Sequence, residues 1–246
     1  MTRPVGGASQ HYAQLLAAHY TWMSGDFDEK VAEQEALLRT LGVPGSPGGT
    51  AVDLGAGSGF QSVALARLGY RVVSVDDNAQ LLEELTQRKG ARDVRVVRDD
   101  LRRVASLEVR EADVVVCMGD TLTHLDTRDD VTRLFHDVLR VLRPGGLLVL
   151  TFRDLTTELR GVDRFIPVRS DADRIMTCFL EYEPETVVVH DLIHVRTESG
   201  WTLHRSSYRK LRLATTWVKE QLEAAGFHVL RHEAAGRLWA VVAQRP

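Results

Sequence analysis

Between Thr50 and Phe152, short β-branched runs alternate with amphipathic helical stretches, and this rhythm constrains the fold of the 246-residue chain more than any other feature. Strand candidates fall at Thr50 to Leu54, Arg71 to Val75, Val94 to Val97, Ala112 to Met118 and Gly146 to Phe152. Helix candidates lie between them at Phe60 to Leu68, Asn78 to Arg88 and Arg128 to Leu142. The strand runs are nearly continuous in apolar residues, so both faces are covered, which indicates a parallel sheet flanked by helices. The expected class is α/β, doubly wound.

The flanks of this core read differently. Two amphipathic segments come first, Ser9 to Trp22 and Asp28 to Leu41, the second with Val31, Leu37, Leu38 and Leu41 on one face and Asp28 and Glu29 near its positive end. GVPGSPGG, Gly42 to Gly49, cannot continue a helix and marks a linker. After Phe152 the alternation stops, and Arg174 to Tyr182, Thr186 to Arg196 and Trp201 to Leu213 read as three strands joined at Glu183-Pro184-Glu185 and Ser199-Gly200. A last helix, Thr215 to Ala225, is stopped by Gly226 and followed by strands at Phe227 to Glu233 and Leu238 to Gln244. The expected parts are therefore a helical lid and linker (1–49), a core (50–154), an antiparallel cap insertion (155–213) and a closing helix with two strands (214–246).

The segment AVDLGAGSGF ends the first strand on Asp53 and follows it with Gly55, Gly57 and Gly59 before a helix. Glycines there permit positive backbone angles and let the chain approach a ligand without an intervening Cβ. A dinucleotide enzyme would carry G-x-G-x-x-G, but counting from Gly55 puts Phe60 at the third glycine position, whereas D-x-G-x-G-x-G fits throughout. Asp76 closes the second strand 17 residues after Gly59, where a carboxylate can accept from both hydroxyls of a ribose. Asp100 follows the third strand after another 24 residues, placed to accept from an exocyclic adenine amino group, with the Leu101 N–H at a ring nitrogen. Taken singly, each Asp has a plainer, less favoured reading as a solvated turn residue or helix cap; the coincidence of three at successive strand ends makes that reading much weaker and favours a nucleoside site.

The succession DLGAGSG, SVD, RDDL, VVVCMGDTLTHL and LRPGGLLVLTFRD resembles the class I S-adenosylmethionine-dependent methyltransferases over roughly residues 50 to 154. The resemblance implies a Rossmann-like, mostly parallel seven-stranded sheet with S-adenosylmethionine as cofactor. It places Gly55, Ala56 and Gly57 against the methionine moiety, Asp76 on the ribose, Asp100 with Leu101 at the adenine, and Met118 and Gly119 on the methionine side. Asp53, Gly59, Asp77 and Asp120, with Tyr20 and Trp22 from the lid, complete the expected cofactor set. CMGDTLTHL looks most like the glycine and sarcosine N-methyltransferase branch, which commonly has Asn where this chain has Asp120. The implied activity is methyl transfer to a small-molecule acceptor.

Transfer from a sulfonium is an in-line displacement, so the protein chiefly positions the acceptor and excludes water, and no obligatory triad is expected. His124, Tyr20 and Arg153 are the catalytic candidates: His124 borders the sulfonium, Tyr20 lies in the lid, and Arg153 just past the fifth strand is placed to meet an acceptor carboxylate. Each has a plainer reading, as a packed histidine, a core aromatic or the partner of a local acid. His190 and His194 have metal-ligand spacing only in a helix; VVVHDLIHV is a strand pattern that separates them by about 13 Å, so no metal site is expected. With His204 and Tyr208 on the neighbouring strand they read as a cross-strand polar face or an acceptor-pocket wall.

A formal charge of −3 and a pI near 6.3 give no basic field for nucleic acid. Cys117 and Cys178 suggest no disulfide framework, Met1 to Gln10 lacks a secretory apolar core, and no apolar run approaches bilayer length, so a cytoplasmic protein without membrane contact is expected. The competing functions are a nucleic-acid or protein methyltransferase of the same fold, an NAD-dependent oxidoreductase, which Phe60 disfavours, and a cofactor-binding module without turnover.

Overall fold

The N-terminal segment enters as α1 (Ala8–His11), widens into a π-helical turn (Tyr12–Leu16) and continues as α2 (Ala17–Ser24). The computed structural model describes residues 5–246, so the first four residues of the Met1 to Gln10 stretch lie outside the described residues. Helix α3 (Phe27–Thr40) follows, its first turn capped by the Asp26 carboxylate, which accepts from the Glu29 N–H.

The core runs β1 (Thr50–Leu54), α4 (Phe60–Arg67), β2 (Arg71–Asp76), α5 (Ala79–Arg88), β3 (Val94–Arg98), β4 (Ala112–Cys117), α6 (Arg128–Val141) and β5 (Leu142–Phe152). Asn78, expected inside the second core helix, instead caps it by accepting from the Leu81 N–H. Helix α6 ends one residue before β5, because Pro144 disfavours helical backbone at Arg143 and the glycines after it have no helical preference. The strand thus begins at Leu142 rather than at Gly146, with a register shift against β4 between Ala112 and Val114.

After β5 come β6 (Phe165–Ser170), β7 (Arg174–Tyr182), β8 (Thr186–Thr197) and β9 (Gly200–Leu211), then α7 (Thr215–Ala224), β10 (His228–Ala235) and β11 (Leu238–Gln244). The seven-stranded sheet is ordered β3-β2-β1-β4-β5-β11-β10, parallel except for β11, which runs antiparallel to both neighbours. Alternate residues of its strands feed two cores. Val52, Leu54, Val115, Cys117, Leu148 and Leu150 pack with α6 and α7, while Ala51, Val114, Val116 and Val149 pack with α3, α4 and α5. That is the physical content of strands apolar on both faces.

The cap is a four-stranded antiparallel sheet, β6-β7-β8-β9, not the three strands expected. The additional strand β6 contains Pro167, a residue tolerated only at sheet edges, and it is indeed the edge strand, with a bulge between Pro167 and Arg169. The inner face of the cap receives Leu15 and Leu16 of the N-terminal segment against Met176 and Ile193. The N-terminal helices are thereby docked on the cap. His190 and His194 lie on the outer face, His190 bonding Glu181 at 2.5 Å, so neither faces the cavity described below. Tyr208, opposite Val189, is on the inner face. Among the described residues no group of three potential metal ligands occurs, and no helix is long and apolar enough to cross a membrane.

Candidate active site

A cavity of about 500 Å³ opens at the carboxyl ends of β1 to β4. Its floor is Gly55, Gly57, Asp76, Asp77 and the segment Asp100 to Arg102; its far wall is Thr121 and the segment His124 to Asp126; its roof is Gly7 to Gln10 with Tyr12, Ala13 and Tyr20.

The floor is set by backbone chemistry. The N–H groups of Gly55 and Ala56 both donate to the Val75 carbonyl, at 2.8 and 3.0 Å, drawing the loop against β2. Gly57 takes φ +53°, and a Cβ built on it would lie 3.3 Å from the Tyr20 ring, so a side chain there would be strained at this φ and would press loop and roof apart. Its N–H donates to Asp76 Oδ2 at 2.8 Å, and the Asn78 N–H donates to Oδ1 at 2.9 Å. Burial pushes the Asp76 carboxyl up, against the opposing pull of these donors. Each oxygen keeps one further lone-pair site, which suits a pair of adjacent hydroxyls.

Asp100 is differently engaged. Both its oxygens accept from the Arg102 guanidinium, at 2.6 to 3.1 Å, and Oδ1 also takes the Arg102 backbone N–H at 2.9 Å. Burial alone would raise this carboxyl, but Arg102 outweighs it and holds it below the usual range. Arg102 also reaches Asp126 at 2.9 Å, joining two walls of the cavity.

At the inner end stands His124, last residue of a 3-10 turn (Thr121–His124). Its Nε2 is buried without a hydrogen-bond partner. The Tyr12 and Tyr208 rings meet it edge-on at 5.7 and 5.5 Å, and Tyr208 in turn stacks on His11 at 4.3 Å. His11 Nε2 is 2.7 Å from Asp191 of β8, both fully buried. Burial, with Lys210 adding to it, depresses the His124 imidazole to about 3. Asp120 pairs with Lys210 of β9 at 2.7 Å and with the Arg153 guanidinium, and also accepts from the Arg153 backbone N–H at 2.9 Å. Burial would raise Asp120, yet these two cations hold it well below the carboxylate range.

Of the residues expected from sequence, the cavity wall brings together Tyr20, Gly55, Gly57, Asp76, Asp77, Asp100, Leu101 and His124. The others lie behind it or beside it. Asp53 sits beneath the loop, accepting from Ser62 Oγ at 2.6 Å, with Ser74 Oγ 2.7 Å further on. Ala56 and Met118 are packed in the core, and Gly59 is the left-handed cap of α4, where a Cβ would collide with Leu85. The Gly119 N–H is held by Thr151 Oγ1 at 2.7 Å, and Asp120 is committed to its two cations. Arg153 is paired with Asp120 rather than free for a ligand, and the Trp22 indole N–H is turned to Asp171 at 2.5 Å.

Sequence reasoning missed Tyr12, His11, Asp191, Arg102 and Lys210. A straight α-helix would set Tyr12 and Tyr20, eight residues apart, about 80° out of line. The π-helical turn between them takes up that angle, and the rings stand 6.0 Å apart. The available signal was the pair of tyrosines in one amphipathic segment. Asp191 and Lys210 depend on the cap's register, which local pattern does not fix.

The family described as a methyltransferase domain matches residues 52–150. The putative methyltransferase YqeM of Bacillus subtilis is 31% identical over 187 residues, which is 74% of this chain and 75% of that one. A glycine/sarcosine N-methyltransferase of Aphanothece halophytica is 30% identical over 125 residues, 50% of this chain. The chain spans about half the length of that relative, 46% of it. The structure of S-adenosylmethionine-bound CalS10, an amino pentose methyltransferase from Micromonospora echinaspora, superimposes with a TM-score of 0.73 at 16% identity over 100% of both chains, a likeness of fold. With the glycine loop, the strand-end carboxylates and these relatives in agreement, the chain belongs to the class I S-adenosylmethionine-dependent methyltransferases, and S-adenosylmethionine is its cofactor.

Proposed function

We propose that the protein methylates the amine nitrogen of a small-molecule acceptor held between the cofactor floor and the roof made by the N-terminal segment, which the cap backs from behind. The observation that carries this reading is the buried, unpartnered His124 Nε2 on the cavity wall, framed by Tyr12 and Tyr208. An unsatisfied buried nitrogen is costly and calls for a partner. A neutral imidazole nitrogen that accepts from an amine N–H would orient the amine lone pair without protonating it.

The other roles follow from position. Bound S-adenosylmethionine supplies an electrophilic methyl group, which the acceptor takes in line. Gly55 and Gly57 hold the chain close to the methionine end, Asp76 offers its two free lone-pair sites to the ribose hydroxyls, and Leu101 offers a backbone N–H to the adenine. Asp77 adds a carboxylate at the rim and Tyr20 closes over the loop. Asp100 receives an adenine amino group by exchanging part of its contact with Arg102. Nitrogen becomes cationic as the bond forms, and the Tyr12 ring on the cavity wall stabilises that charge. Residues 1–49 serve as the lid and residues 155–213 as the cap that holds the lid in place over the cavity; together they exclude water. The amine reading is supported by the likeness to a glycine/sarcosine N-methyltransferase and to an amino pentose methyltransferase.

The test is turnover on matched panels of primary and secondary amines and of the corresponding alcohols, with S-adenosylhomocysteine as readout and mass analysis of products. Methylated amines are expected. Turnover confined to alcohols, or protection of a long nucleic acid in footprinting, overturns the proposal.

A further inference from the structure

We infer that Lys210 of the cap is a positioning residue for His124, gripping Asp120 and adding to burial a positive charge that keeps the imidazole neutral, the state in which Nε2 can accept a hydrogen bond. The inference rests on the role proposed for His124 above.

Asp120 and His124 belong to one short turn: the Asp120 carbonyl accepts from the Thr123 N–H at 3.0 Å and from Thr123 Oγ1 at 2.7 Å. A buried carboxylate so near an imidazole would ordinarily favour the imidazolium, which has no acceptor to offer. Here the carboxylate is outnumbered. Lys210 Nζ approaches Asp120 Oδ2 at 2.7 Å from 90 residues away in sequence, and Arg153 takes the same carboxylate from the end of β5. The charged and titratable groups facing His124 are Asp120 on its own turn, Lys210 and Tyr208 from β9, Arg153 after β5, and His11 and Tyr12 from the N-terminal segment. Two fixed cations against one carboxylate leave a net positive surrounding, in which a second buried cation on the imidazole is disfavoured. Lys210 also lies over the Tyr208 ring at 5.7 Å, the ring that abuts His124 at 5.5 Å.

Stability alone does not account for the arrangement. The Lys210 and Asp120 side chains are only 10% and 8% exposed, and a buried ion pair is on average no more stabilising than apolar residues of the same volume. Arg153, 49% exposed, would by itself leave Asp120 and one screened guanidinium in balance. Burial is the larger influence on His124, and the buried ammonium adds to it where Arg153 and Asp120 would otherwise cancel.

The test uses the full chain and reads the His124 imidazole titration by heteronuclear NMR, alongside cofactor affinity by calorimetry and the pH dependence of kcat. Lys210→Gln retains a donor to Asp120 but loses the charge; the proton affinity of His124 is expected to rise by about tenfold or more, the scale of removing one nearby unit charge. The acid limb of kcat should move to higher pH with it, while cofactor affinity stays within about twofold and Lys210→Arg restores the wild-type profile. Asp120→Asn/Lys210→Gln removes one charge of each sign and leaves Arg153, so the titration is expected to return towards its wild-type position; this pair of neutral residues serves also if the single variant does not fold. A Lys210→Gln titration superimposed on wild type in folded protein, or a double variant titrating well above wild type, overturns the inference. Because the titration needs no acceptor, an absence of amine turnover would count against the proposed function and not against this electrostatic role.

Discussion

Asp76 shows how much one residue's hydrogen-bond inventory decides. A carboxylate offers about four acceptor sites, and two are taken by the N–H groups of Gly57 and Asn78, one on each oxygen. The two that remain are what a ribose diol requires, so Asp76→Ala is expected to weaken S-adenosylmethionine binding by about 1.5 to 3 kcal/mol in calorimetry, the range for hydrogen bonds to a charged group. Affinity equal to wild type would remove Asp76 from the site. Gly57 is constrained from two sides, by its left-handed φ of +53° and by the Tyr20 ring 3.3 Å from where a Cβ would stand. Gly57→Val should therefore abolish measurable binding and displace Tyr20, with the sheet's circular dichroism unchanged; a folded variant that binds normally would refute the close approach. The placement of Asp76 and Gly57 on the cavity wall was readable in the sequence because strand-end and loop positions are fixed locally. Lys210 and Asp191 were not, since a strand residue's face depends on a register that only pairing decides.

At the scale of elements, the N-terminal segment is tied more firmly to the cap than to the core beneath it. His11 meets Asp191, Trp22 donates to Asp171 while Arg174 covers its ring at 4.8 Å, and Leu15 and Leu16 fill the sheet's inner face. Contact with the core is narrower: Thr21 and Arg88 share Glu84, and Tyr20 and Phe27 pack on Phe60. Asp191→Ala removes the partner of a fully buried imidazole nitrogen and should cost about 1 to 3 kcal/mol. Amide exchange in residues 8–24 is expected to accelerate while β1, β4 and β5 keep their protection; equal acceleration throughout would show that segment and core open as one unit. Most elements were legible from period and punctuation. The exceptions have local causes: Pro167 masks an edge strand, Pro144 and two glycines hide the start of β5, and a single π-helical turn is invisible to a 3.6-residue period.

The molecule as a whole places an ionisable group where its two cores meet. Asp53 on the central strand β1 is 1% exposed, and burial pushes its carboxyl up to about 7 against the pull of the Ser62 hydroxyl. A folded-state value above the ordinary aspartate value of 3.8 means that the native protein holds this proton where the unfolded chain has lost it. The stabilisation is present in full below about pH 4 and is lost as pH rises towards 7, at up to about 1.4 kcal/mol per pH unit. Asp53→Asn keeps an acceptor for Ser62 but cannot titrate. Urea unfolding of the cofactor-free protein should therefore show wild type losing stability relative to Asp53→Asn between about pH 4 and 7, with parallel curves outside that window. Taking the difference cancels the other titrations, including that of His124, whose depressed value acts in the opposite sense by lowering stability as pH falls through the region from 6.5 to about 3. Curves that stay parallel across the whole range would mean that Asp53 is ionised in the folded protein much as it is in the unfolded chain, and that the hydroxyl chain through Ser62 and Ser74 solvates its charge despite the burial.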